Sequence, residues 1–283
     1  MDVKSFKLII FLFFWGSVSV FSQDTIHNSV LKKEKQKQDG RAYIRIGIGA
    51  QGMISFIFPQ DINSYSKDFY NSLKDYYEKY GFSPSSGESP PPIFIGYGYS
   101  FKIDIRVMNI FQLEPWWDQF NAFPLNMKVD FYYSDTYNNI NERQTATYKF
   151  QPFYDDKGLS LLFVPGSKRK SAFFIIGGGM GLLQGKFRNT ISGTHSMNGV
   201  ITDLSGSETY SGKTISYHGV FGITFVPWNF LELELLINGR YAKIPSIKNA
   251  DGAIFKNEFR DNEVVSLNFS GADIRFGLKF IFP

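Results

Sequence analysis

The stretch Ile93–Val107, IFIGYGYSFKIDIRV, decides the fold. Its odd positions, Ile93, Ile95, Tyr97, Tyr99, Phe101, Ile103, Ile105 and Val107, are all apolar or aromatic. The even positions after Phe94 are Gly96, Gly98, Ser100, Lys102, Asp104 and Arg106. Side chains alternate across a strand, so one face is continuously apolar and the other is small or charged. Strands of soluble sheets usually run about 5–6 residues. A longer strand with three charges in a row on one face fits a tilted transmembrane strand, which needs about 9–11 residues to cross a bilayer. The apolar side then faces lipid and the charged side the inside of a closed barrel.

The composition agrees with such a barrel. Mean hydropathy is slightly negative, which argues against a bundle of membrane helices, while 30 Phe and 16 Tyr supply the aromatic girdles that a membrane barrel carries. A net charge of +4 without a basic stripe points away from nucleic acid as a partner. No cysteine is present, so disulfides, thiolate metal sites, cysteine nucleophiles and thiol-linked lipid anchors are excluded together. The longest apolar run lies at the start. Lys4 and Lys7 precede Leu8–Trp15, and small residues lead to Ser22, which reads as a secretory signal over 1–22. Residues 23–40 are polar and lysine-rich, a flexible tail, and 41–283 form the barrel.

Further alternating segments follow. Ile44, Ile46, Ile48 and Ala50 share a face in Ala42–Phe58. Leu125, Met127, Val129, Phe131 and Tyr133 oppose Asn126, Lys128 and Asp130. Ala146, Tyr148 and Phe150 alternate, and Leu159, Leu161 and Phe163 resume in the opposite parity, predicting a bulge or kink at Pro152–Gly158 or two short strands. Ala172–Phe187, Thr214–Val226 and Phe230–Lys243 continue the pattern around a polar loop at Arg188–Gly212. In the closing segment Ile274, Phe276, Leu278, Phe280 and Phe282 oppose Asp273, Arg275, Gly277 and Lys279. Val265, Leu267 and Phe269 fall on the other parity, predicting a bulge near Ser270. The count is eight strands, with ten possible if Met108–Pro124, which carries Trp116-Trp117, holds more than an interfacial segment. Between the first two strands, Ile62, Tyr65, Phe69, Leu73, Tyr76 and Tyr80 recur at helical spacing over Asp61–Tyr80. An amphipathic helix in the first extracellular loop could cap the barrel, plug it or lie on the membrane, and a lid packed on its own barrel is the simplest of these.

The closing strand Ser270–Phe282 resembles the C-terminal strand of small bacterial outer-membrane β-barrels of the OmpA, OmpX and OmpW kind. The glycine-rich pair ending at Phe174–Gly181 resembles their central hairpin. The resemblance implies an all-β, closed antiparallel transmembrane barrel in the bacterial outer membrane, with outer-membrane lipid around it. It also implies recognition by the outer-membrane assembly machinery through Phe276, Phe280 and Phe282. Pro283 after Phe282 departs from the terminal aromatic of that pattern.

The inward-facing set predicted from alternation is Arg45, Lys102, Asp104, Arg106, Lys128, Asp130, Glu232, Glu234, Arg240, Asp273, Arg275 and Lys279. In a barrel of eight strands side chains fill the interior, and buried charges require partners. A zipped ionic core is therefore expected, with a narrow solute path as the alternative. Glu232 and Glu234 read as counter-ions rather than an acid–base pair. Gly177–Gly181 fails the spacing of a phosphate loop, and His27, His195 and His218 lack metal-ligand spacing. Ser216 and His218 share a face, which keeps open a lesser alternative of a lipid-modifying enzyme. Neighbours two apart on a strand do not normally pair as nucleophile and base. No cofactor, metal or catalytic residue is expected. The favoured role is structural or surface-binding, with an extracellular ligand engaged by the long loops; a narrow porin-like channel is the alternative.

Overall fold

The computed structural model describes residues 44–58, 60–87, 94–107, 110–135, 137–165 and 171–282. The signal segment 1–22, the tail 23–40 and Pro283 lie outside them. The elements are β1 (Ile44–Ile57), α1 (Gln60–Lys79), β2 (Ser83–Gly87), β3 (Phe94–Val107), β4 (Phe111–Ala122), β5 (Leu125–Asp135), β6 (Ile140–Phe163), β7 (Ala172–Met197), β8 (Val200–Trp228), β9 (Leu231–Tyr241), four two-residue strands β10–β13 between Lys243 and Asn268, and β14 (Gly271–Phe282).

Eight strands close a ring in the order β1, β3, β4, β6, β7, β8, β9, β14, and back to β1, every pairing antiparallel. The segment around Trp116-Trp117 is itself a wall strand, with Trp116 buried inside and Trp117 partly exposed outside. β4 and β5 are two halves of one long strand along β6, since Asn121 pairs with Phe153 and Leu125 with Phe150. One extra residue at Phe123-Pro124 therefore bulges out and shifts the parity. Short connections (β3–β4, β6–β7, β8–β9) gather at one end, and the helix-bearing connection and the long hairpins at the other.

The wall has two zones of opposite polarity. Toward the short-connection end, Ile48, Phe101, Leu161, Phe174, Leu182, Phe221, Ile237 and Phe280 are exposed outside, while the inner face is ionic. This apolar belt is a membrane-facing surface. Beyond it the faces exchange: Met127, Phe131, Phe150, Phe187, Phe255, Leu267 and Phe269 are buried inside, while Lys128, Lys149 and Arg188 look outward. The helix α1 covers this inner apolar dome. Tyr65 packs 4.7 Å from Phe255, Phe69 4.8 Å from Tyr148, and Tyr77 stacks on Phe131 at 4.1 Å.

This exchange overturns several sequence expectations. Leu125, Met127, Val129 and Phe131 point inward, so Lys128 lies exposed outside and Asp130 pairs with Arg143 at 2.7 Å. β6 is one strand with neither bulge nor kink, because its even residues face inward from Ala146 to Leu162 and only the polarity of the interior changes. Likewise the odd residues from Val265 through Lys279 all face inward or toward the dome without a bulge. The supposed loop Arg188–Gly212 is a continuation of β7 and β8, turning at Asn198-Gly199 with φ of 51° and 84°. That dipeptide is a strong hairpin signal. On α1, Tyr77 is buried while Tyr76 and Tyr80 are exposed.

Candidate functional site: the ionic interior of the ring

Small residues on β1 make room for the long cations of its neighbours. A side chain at Gly49 would meet the Lys102 stem at 3.2 Å, and one at Gly47 the Lys279 stem at 3.3 Å. Lys102 from β3 thus crosses over β1 to Glu234 of β9, and Lys279 from β14 crosses it to Asp104 of β3, while each also meets a carboxylate of its other neighbour, β4 or β9. Lys102 Nζ lies 3.0 Å from Glu114 and 2.6 Å from Glu234. Lys279 Nζ lies 2.5 Å from Glu234 and 3.4 Å from Glu232, and also contacts Asp104. Arg106 forks onto Glu232 with two bonds of 3.0 Å and donates to Gln112, which donates to Glu114 at 2.9 Å. Gln51 donates to Glu234 at 2.7 Å.

A second cluster sits nearer the dome. Arg240 bonds Asp273 at 2.6 Å and touches the Tyr154 hydroxyl. Arg275 reaches Asp118 at 2.7 and 3.2 Å and Asp273 at 2.9 Å, and Asn238 donates to Asp273 at 2.8 Å. The predicted set therefore divides. Lys102, Asp104, Arg106, Glu232, Glu234 and Lys279 meet in one cluster, and Arg240, Asp273 and Arg275 in the other. Arg45 is half-buried at the short-connection rim, where it donates to the Asn229 carbonyl at 3.3 Å. Lys128 and Asp130 belong to neither. Phe276, Phe280 and Phe282 are half-exposed on the outer belt.

Sequence reasoning missed Glu114, Asp118 and Asp156, all buried. The alternation Gln112, Glu114, Trp116, Asp118 was present, but Pro115 and Gln119 interrupted the opposing apolar face. Asp156 accepts from Ser216 at 2.9 Å, while His218 Nε2 meets Ser160 Oγ at 2.9 Å under the edge of Trp116. Ser216 and His218 thus take different partners, as expected of neighbours two apart. The glycines of β6 and β7 admit this group. A Cβ at Gly158 would come within 2.5 Å of Trp116, and one at Gly181 within 2.6 Å of Asp156.

Asp104, Glu232 and Glu234 bring ligand oxygens within 4.8 Å of one another. The Lys279 ammonium already lies among them, so this trio has its counter-ion built in. Beyond the ionic layers, Leu162, Val164, Phe173, Ile175 and Leu236 form a small apolar cluster inside the ring. Lys279 and Asp273 are 0% exposed and Asp104 1%, so water does not reach the centre of the network.

No protein-family model matches the chain, and no curated protein does. Among solved structures it is similar to Ail, the attachment invasion locus protein of Yersinia pestis, at 10% identity and a TM-score of 0.37, covering 84% of this chain and 99% of that one. Ail has also been crystallised with the heparin analogue sucrose octasulfate. The chain is similar too to Neisserial surface protein A, at 8% identity and a TM-score of 0.36, covering 83% of this chain and 96% of that one. The likeness is one of architecture alone.

Proposed function

We propose that this chain is an outer-membrane β-barrel that conducts nothing through its interior and acts by binding at its long-connection end. The carrying observation is the closure of the ionic layer: the charged side chains that would line a conduit are paired with one another and shut off from water. A solute path needs these groups hydrated, and hydrating them would mean opening the network. The strands of β5–β8 run well past the belt and expose both faces near the tip, where Val200 and Ile201 are each 70% exposed. A surface of that kind suits contact with a partner outside the membrane. Ser160 is 1% exposed, so its hydroxyl, although bonded to His218, is closed to a substrate.

Planar-bilayer recording of refolded protein tests the sealed interior. The expected result is a heat-modifiable band on gels and no steady conductance; steady conductance overturns it. Deletion of Asp61–Tyr80 is expected to leave the baseline unchanged, because the ionic layer lies beneath the helix and closes the ring without it.

A further inference from the structure

The outward face of β6–β8 changes abruptly just beyond the apolar belt. On β6 the sequence of outward residues runs Phe163, Leu161, Leu159, then Lys157, Asp155, Phe153, Gln151 and Lys149. On β7 it runs Met180, Leu182, Gln184, Lys186 and Arg188, and on β8 Tyr217, Ile215 and Lys213. The pairing Gln151 with Arg188, Phe153 with Lys186, and Lys186 with Ser211 puts Lys149, Arg188, Lys186 and Lys213 on a diagonal across three adjacent strands. Successive members are diagonal or next-but-one neighbours, about 7 Å apart at the backbone, so each adjacent pair is within reach of a shared anion and the four together span about 20 Å.

Three observations point to what this patch meets. First, none of these four cations takes part in an ion pair among the described residues, and Asp155 is the carboxylate on this face at their height. Second, Lys186 and Arg188 both lie over the ring of Phe153, at 5.7 and 5.3 Å, which holds their charged ends beside an apolar surface. Third, the patch continues directly from the lipid-facing belt: Leu159, Leu182 and Ile215 are 46%, 73% and 50% exposed immediately below it. A ligand that fits must carry anionic oxygens at the height where its own hydrocarbon begins. Arg forks match phosphate, and lysines supply point charges around it.

We propose that Lys149, Lys186, Arg188 and Lys213 dock the phosphate-bearing headgroup of a lipid in the leaflet at the long-connection end. This rests on the membrane reading given above. The lipid's acyl chains lie along the belt below the cations, and its phosphate lies on the diagonal. Juxtamembrane cations each attract an anionic headgroup about fivefold, and salt screens the attraction.

The test uses full-length refolded protein in phosphatidylcholine nanodiscs doped with lipid A, with lipid retained per barrel counted after mild extraction by native mass spectrometry. The wild type is expected to retain lipid A over phosphatidylcholine, more weakly at high salt. Retention falls roughly fivefold for each cation replaced and well over tenfold in K149Q/K186Q/R188Q/K213Q. A control with the same charge removed elsewhere, K67Q/K74Q/K79Q/K248Q, retains lipid A like the wild type. Should the quadruple variant lose its heat-modifiable band, K149Q/R188Q and K186Q/K213Q separately give the same readout. Equal retention in wild type and patch variants, an equal loss in the control, or complete displacement by millimolar inorganic phosphate each overturns the proposal. Failure of the wild type to insert into nanodiscs would instead strike the membrane reading itself.

Discussion

Lys279→Met removes one ammonium from among three carboxylates and keeps most of the side-chain volume. The ammonium lies 2.5 Å from Glu234 and 3.4 Å from Glu232 and touches Asp104, all of them buried. In that cluster Lys102, Arg106 and Lys279 face Asp104, Glu114, Glu232 and Glu234; the substitution leaves two cations for four acids. Stranding a charge in a closed interior costs about 3–5 kcal/mol. With a urea slope of about 2 kcal/mol per molar, the unfolding midpoint drops by about 2 M. Urea titration of refolded barrels in micelles, followed by tryptophan emission and the heat-modifiable band, reads this directly. The double variant K279M/D104N is expected to recover about 1–3 kcal/mol, because the carboxylate left unpaired is removed with its partner. A K279M loss below about 1 kcal/mol would refute the reasoning, since only a hydrated lumen tolerates the change so cheaply.

Burial against the apolar dome pushes the Tyr65 and Tyr77 hydroxyls of α1 up to about 12. Their raised values favour the neutral form in the folded state, so this stability is complete below about pH 10 and is lost as pH climbs through about 12. Limited proteolysis of α1 is expected to accelerate over that window while the gel band of the barrel persists; release at a lower pH would contradict it. Gly158→Val forces a side chain to within 2.2 Å of the Met180 carbonyl and 2.5 Å of Trp116. Overpacking of this kind costs about 1–3 kcal/mol, measurable as a lower urea midpoint, and an unchanged midpoint would mean that Trp116 does not occupy that space.

The ring was legible from alternation because the membrane imposes one rule on every strand it contacts. Ile95 to Val107 and Ile274 to Phe280 obey it without exception. The same rule misplaced Lys128 and Asp130, because β5 lies beyond the belt, where water is outside and the apolar dome inside. Apolar residues alternate equally well in both zones, so periodicity gives the parity of a strand but not which face looks inward. A marker of the boundary was present: on β6 the inward series passes from Tyr148 and Phe150 to Asp156 and Ser160 without a shift in parity. Of the ionic interior, the cations were read in full. Glu114 and Asp118 were hidden by a proline and a glutamine on the opposite face, and their roles emerge only from the pairing of β4 with β3 and β6. The partner of His218 could not have been found from spacing, since Ser160 lies 58 residues away.

The exchange of faces part-way along β6, β7 and β8 gives the molecule a waterline. Rising by one residue pair would bring Leu159, Leu182 and Ile215 out of hydrocarbon. Sinking by one pair would carry Lys157, Lys186 and Lys213 toward it, where the cost of a cation grows with depth from about 0–1 to about 2–4 kcal/mol. The wall therefore floats at one draught. In a thinner or thicker bilayer the barrel holds its level, and it is the surrounding lipid that stretches or thins to meet it.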